Sequence, residues 1–237
     1  MKQKLLAAGA MAASSVLFGS AIAHESRVLP ASVNNIRLTV GFHAEPAFED
    51  TFNGIDVILY SYDGACADPT DFWGNPIDTR GTAGNADPDT VNLTVDALYL
   101  KNQTPPTGPN GSVAPAGILK TLAITNASPL KASFSDPGTY NSLFRPTNPG
   151  GTASGGAYGF RIKGAVHAGP STYKCEGEAS DHALAARTAT IDAYFICGAG
   201  TFSPGHSFNC IEAIQSFPGK AEDGYEPSKA YGSSGHR

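Results

Sequence analysis

Charge is scarce in this chain: Asp, Glu, Lys and Arg make up 16% of its 237 residues. A helix that packs on one side and faces water on the other needs charged residues along its outer face, so a helical bundle is excluded. Basic residues are in deficit, 16 Lys and Arg against 21 Asp and Glu, for a net charge of −5. That balance offers nothing to a nucleic-acid backbone. Catalytic signatures are missing as well. The sequence has no G-x-S-x-G elbow, P-loop, H-E-x-x-H or dinucleotide-binding glycine fingerprint, which points to binding rather than catalysis. Hydrophobic residues reach 41%. That is enough for a core and excludes wholesale disorder.

Only residues 1–23 carry a long apolar run, and it has the form of a secretory signal. Lys2 and Lys4 precede apolar residues 5–18, and Ala21-Ile22-Ala23 follows. Small residues at the −3 and −1 positions suit signal peptidase, so cleavage is expected after Ala23. The run is too short to stay in a bilayer. A periplasmic or secreted mature chain is therefore expected, with no membrane span. Its first residue would be His24, and loss of Lys2 and Lys4 would make it more acidic than the full sequence. Residues 24–217 read as one β-sandwich domain. Residues 218–237 are polar and rich in Gly and Ser, and are expected to form a disordered tail.

The body of the chain alternates apolar and polar residues. Segments 36–42 (IRLTVGF), 55–60 (IDVILY), 91–100 (VNLTVDALYL), 158–166 (YGFRIKGAV) and 190–196 (TIDAYFI) have the two-residue period of half-buried strands. Segments 119–124, 131–134 and 140–144 are shorter candidates. Asn53-Gly54, Asp63-Gly64, Asp136-Pro137-Gly138 and Asn148-Pro149-Gly150 supply turn chemistry between them. Many short strands separated by Gly and Pro turns predict an all-β sandwich. Long loops are expected at 64–89 and 102–117, and one short helix at 180–187 (SDHALAAR).

Four cysteines lie beyond the signal: Cys66, Cys175, Cys197 and Cys210. An even count in an exported chain reads as two disulfides, with three connectivities open. Cys197 and Cys210 bracket a short Gly-rich loop, which favours their pairing and leaves Cys66 with Cys175. A thiolate metal site is the rival reading, and it lacks a paired C-x-x-C.

His24 carries the strongest chemical signal. A free α-amine beside an imidazole forms a chelate through the amine nitrogen and ring Nδ1. A second histidine would complete a three-nitrogen site, which suits Cu(II) and its tetragonal preference. The chain has six histidines. His43 and His167 each follow a predicted strand, and His206 falls in the loop that Cys197 and Cys210 would close. These three are the candidate partners. Glu25, Glu45 and Asp56 are acidic neighbours able to orient a ring or donate oxygen. Affinity would fall below about pH 6 as the imidazoles protonate.

Two stretches resemble small exported bacterial Ig-like domains. One is Gly41-Phe42-His43-Ala44-Glu45-Pro46-Ala47-Phe48 with Phe52-Asn53-Gly54-Ile55-Asp56-Val57. The other is Asp136-Pro137-Gly138-Thr139-Tyr140, Phe144-Arg145-Pro146-Thr147, Pro149-Gly150 and Tyr158-Gly159-Phe160-Arg161-Ile162. The pattern, over about residues 24–62 and 118–166, is similar to that of the CopC-like and YtkA-like periplasmic proteins. The resemblance implies an Ig-like fold, and copper bound through an N-terminal histidine at the position of His24. It implies copper carriage, buffering or resistance, with a periplasmic or membrane copper-handling protein as partner. No family motif surrounds His43, His167 or His206.

Two alternatives stay open. One is a metal-free Ig-like module for structure or protein interaction. The other is a copper monooxygenase-like enzyme pairing His24 with His167 and using Tyr194 or Phe195 as the axial neighbour.

Overall fold

The computed structural model describes residues 24–29, 36–44, 47, 51–66, 74–81, 86–122, 130–146 and 157–198. In chain order the strands are β1 (His24–Leu29), β2 (Ile36–Phe42), β3 (Asn53–Ser61), β4 (Asn75–Pro76), β5 (Thr90–Leu100) and β6 (Ile118–Leu122). They continue with β7 (Lys131–Ala132), β8 (Thr139–Phe144), β9 (Ala157–Ala168), β10 (Ser171–Tyr173), β11 (His182–Leu184) and β12 (Arg187–Ile196). One sheet has the order β1-β2-β3-β8-β7, with β4 also on β3, and the other has the order β12-β9-β5-β6. Strands β10 and β11 form a separate hairpin. The chain is an all-β sandwich, as the alternation predicts.

The core follows from that alternation. In β3, Ile55, Val57 and Leu59 point inward and are fully buried, while Asp56, Ile58 and Tyr60 face out. In β9, Phe160, Ile162 and Val166 are likewise fully buried. Phe160 receives Phe42 at 5.4 Å and Phe144 at 5.8 Å, both edge to face. This aromatic cluster joins the two sheets, each pair adding about 0.5–1.5 kcal/mol beyond simple burial. Gly164 sits where β9 passes between β5 and β12. Its φ is +143°, and a Cβ there would lie 2.0 Å from the Asn92 carbonyl oxygen, so no other residue fits.

The short helix expected at 180–187 is not formed. His182–Leu184 is β11, and β12 already begins at Arg187. Alanine is the best helix former, but propensity is small per residue and tertiary contacts override it. Here His182 pairs with Tyr173 across the hairpin, and the two rings stack at 5.2 Å. The predicted strand at 131–134 stops at Ala132, and Phe134 is left 98% exposed in the following turn. The predicted loop 64–89 contains β4. The expected signal at residues 1–23 and the expected tail at 218–237 lie outside the described residues.

Tyr140 stitches β8 to the segment after β4. Its hydroxyl donates to the Ile77 carbonyl at 3.0 Å and accepts from the Thr79 amide at 3.1 Å. Burial raises the pKa of this phenol above its ordinary value, and it does the same for Tyr60. A phenol whose folded pKa is raised contributes stability below the unfolded value, near pH 10, and loses it as pH rises through the folded value. The urea midpoint is therefore expected to hold steady from pH 7 to 9 and to fall above about pH 10. Tyr140→Phe should flatten part of that fall, and an unchanged slope would count against the buried hydroxyl.

Candidate metal-binding site

Three neighbouring strands set out a row of positions on the outer face of the first sheet. His24 on β1 lies opposite Gly41 on β2, and Gly41 lies opposite Asp56 on β3. Directly opposed residues in antiparallel strands project from the same face. Gly41 carries no side chain, so the position between His24 and Asp56 in the row adds none of its own. Strand spacing puts the outer two backbones about 10 Å apart, a gap two side chains can close.

His43 joins this group diagonally. Its amide donates to the Gly54 carbonyl at 3.0 Å, continuing the β2–β3 ladder past the end of β2. Its Nδ1 lies 2.8 Å from Oδ1 of Asp56. Asn53 fixes the local backbone. Its Oδ1 accepts from the Ala44 amide at 3.0 Å and its Nδ2 donates to the Ala44 carbonyl at 2.9 Å. Gly54 admits the close approach of β8, since a Cβ there would stand 2.5 Å from the Ser142 carbonyl oxygen.

His24 differs from an ordinary surface histidine. Its Nε2 is shielded from solvent and has no hydrogen-bond partner among the described residues. A buried polar atom left in this way costs about 1–3 kcal/mol. Burial lowers the pKa of the imidazole below the usual histidine value, with Asp56 pulling the other way. Burial thus favours the neutral ring, the form that binds a metal. The side chain of His43 is half exposed at 49%, against 17% for Asp56, so it is the more open of the pair to solvent.

Other sequence-predicted residues fall elsewhere. Glu25 points the opposite way from His24, into the sandwich, where it is 1% exposed and receives Arg27 Nε at 2.8 Å. It is not placed to join a ligand set on the outer face, because adjacent strand residues project to opposite sides. His167 lies on the outer face of the second sheet, between the inward residues Val166 and Ala168. Both its nitrogens are engaged, Nδ1 with Thr188 Oγ1 at 3.0 Å and Nε2 with Asp87 Oδ1 at 2.7 Å. The sandwich separates it from His24. Phe195 is fully buried beneath Arg27, and Tyr194 lies under the guanidinium of Arg161. Neither neighbours His167. Glu45, His206 and Cys210 lie outside the described residues.

The Cys66–Cys175 disulfide is formed. Cys197 is also disulfide-bonded, and its Sγ accepts from the Tyr158 amide at 3.2 Å. One group escaped the sequence reading. Donor atoms of Cys175, Glu178 and His182 all lie within 4.8 Å of one another, the one such set among the described residues. The spacing C-x-x-E-x-x-x-H was its signal. His24, His43 and Asp56 are more loosely spread than this. A polar cavity of about 590 Å³ opens near β4. Its guanidinium, Arg80, is committed to Asp78 at 2.7 Å and to the carbonyls of Ser133 and Phe134 at 2.7 and 2.6 Å.

An all-β sandwich with two histidines and a carboxylate set across β1, the end of β2 and β3 on one outer face is the class that fold and site define. No family model, curated protein or solved structure matches the chain.

Proposed function

We propose that the mature chain is an exported copper-binding protein, with an Ig-like, CopC-like sandwich presenting Cu(II) ligands at the start of β1. The observation that carries this reading is the row His24, Gly41, Asp56, with His43 paired to Asp56 at 2.8 Å. Cleavage after Ala23 would place a free α-amine on His24. Amine and imidazole would then chelate the ion, His43 would supply a third nitrogen and Asp56 an oxygen. Three nitrogens and one oxygen suit the tetragonal preference of Cu(II). The ion would lie over Gly41, and the half-exposed His43 side chain would swing to meet it at little cost. Carriage or buffering follows from binding alone, with a periplasmic or membrane copper-handling protein as the exchange partner.

The test is Cu(II) titration of mature protein whose N-terminus has been confirmed by mass spectrometry, beside a variant with one Ala added before His24. Tight 1:1 binding is expected in the first and its loss in the second. Asp56→Asn removes the proposed oxygen ligand and the partner that orients His43, and should weaken binding by at least about 10- to 100-fold. Equal, weak binding by both N-terminal forms would overturn the reading.

A second reading, a metal-free interaction module, draws on β6. This edge strand leaves Ile118 and Leu119 exposed, at 39% and 60%. An open apolar edge is a template for pairing with another chain.

A further inference from the structure

We propose that Cys66, Cys175, Glu178 and His182 form a second metal site, for Zn(II), that exists only when the Cys66–Cys175 disulfide is reduced. The disulfide holds Cys66 Sγ at Cys175, and Cys175 already lies within 4.8 Å of donor atoms of Glu178 and His182. Opening the bond leaves two thiols, with Cys175 Sγ inside the set that holds the imidazole and carboxylate and Cys66 Sγ beside it. Two sulfurs with nitrogen and oxygen match the tetrahedral ligand chemistry of zinc. As long as the disulfide is closed, neither sulfur is a thiolate and the set lacks half its donors.

The surrounding structure holds these groups in place independently of the sulfur–sulfur bond. Tyr173 pairs with His182 across the β10–β11 hairpin, and their rings stack at 5.2 Å with planes 27° apart. The Tyr173 hydroxyl donates to Asp63 Oδ1. The Glu178 amide donates to the Cys175 carbonyl at 3.2 Å, which sets the turn between the two ligands. His182 Nε2 is fixed 2.6 Å from Glu178 Oε2. Tyr173, Cys175 and Leu184 form a buried cluster of their own, with Cys66 against it, apart from the main core. The disulfide therefore lies outside the main core of the sandwich.

The chemistry balances with a dithiol as reductant. Its two sulfurs give up two electrons and close as a disulfide, and their two protons pass to Cys66 and Cys175. Zn(II) then displaces both thiol protons to solvent as the zinc–sulfur bonds form.

Co(II) serves as the spectroscopic probe, titrated into the full mature chain after reduction and removal of the reductant. A 1:1 thiolate-to-metal charge-transfer absorption is expected in the reduced chain and none in the oxidised chain. Zn(II) should abolish the absorption by displacing Co(II). His182→Ala should weaken Co(II) binding by at least about tenfold. The double variant Cys66→Ser/Cys175→Ser, which keeps Cys197, should give no such absorption when reduced. Circular dichroism should show the sheet retained throughout. An absorption that survives in the double variant, or is equally strong in His182→Ala, would assign the metal to other cysteines or to unfolded chain and overturn the proposal. So would a reduced chain that keeps its sheet and gives no absorption, or one that loses its sheet without recovering it on adding metal.

Discussion

Glu25→Ala is expected to destabilise the sandwich by about 3–5 kcal/mol, the range for breaking one side of a buried ion pair. Glu25 and Arg27 are neighbours on the inward face of β1, 1% and 5% exposed. Arg27 Nη2 lies 2.7 Å from Glu25 Oε1, and its guanidinium rests 3.9 Å above the ring of Phe195 on β12. Burial lowers the Arg27 pKa, and Glu25 opposes that shift. Without the carboxylate, Arg27 keeps its charge in an apolar setting, because guanidinium does not lose its proton at accessible pH. Replacing both together, Glu25→Leu with Arg27→Met, removes the charge as well as its partner. Most of the loss should then be recovered. Urea midpoints of the three proteins decide the matter. A loss under 1 kcal/mol in Glu25→Ala would mean that water reaches the pair.

The second large effect concerns the Cys66–Cys175 disulfide, which closes a loop of 109 residues. In the chain-entropy account, a crosslink over about 100 residues stabilises the fold by about 4.7 kcal/mol, nearly all through the unfolded ensemble. Cys66→Ser/Cys175→Ser should therefore lower stability by about 3–5 kcal/mol and leave the native spectrum unchanged. The unfolding m-value should rise, since an uncrosslinked denatured chain exposes more surface. A loss below 1 kcal/mol would show that native strain offsets the entropic gain. In the reduced wild type, Zn(II) at the proposed second site would restore part of the same stability, because binding confined to the folded state adds to its free energy.

Sequence patterning was most informative where a strand has one wet face. Residues 36–42 are β2 as expected, and β3, β5 and β9 extend their predicted segments by a residue or two. Strand β1 did not stand out. HESRVL puts Glu25 and Arg27 on the buried face, which inverts the hydrophobic pattern that marks a strand. The hairpin of β10 and β11 was hidden for a different reason. Its strands are three residues each, too short for a period to show, and Ala183 lies among alanines that favour a helix. For the candidate site, His24, His43 and Asp56 were each legible as residue types with metal chemistry. Their alignment was not, because it depends on the register His24–Gly41–Asp56, a property of three paired strands. The Cys175, Glu178 and His182 group was within reach by spacing alone. Cys175 reads first as a disulfide partner, and that pairing hides it as a metal donor.

The strand order has a kinetic consequence. Asn53 on β3 pairs with Phe144 on β8, and Thr90 on β5 pairs with His167 on β9. Chain entropy must be spent on closing such distant contacts before any of them returns stability, so the molecule belongs with the slow folders of the millisecond-to-second class. During synthesis at about 5–20 residues per second, β3 would wait on the order of ten seconds for β8 to emerge. Throughout that interval the β1–β2–β3 meander shows an unpaired edge and its full apolar face. The nascent chain is therefore open to self-association at β3, a strand that in the finished protein is paired along both edges.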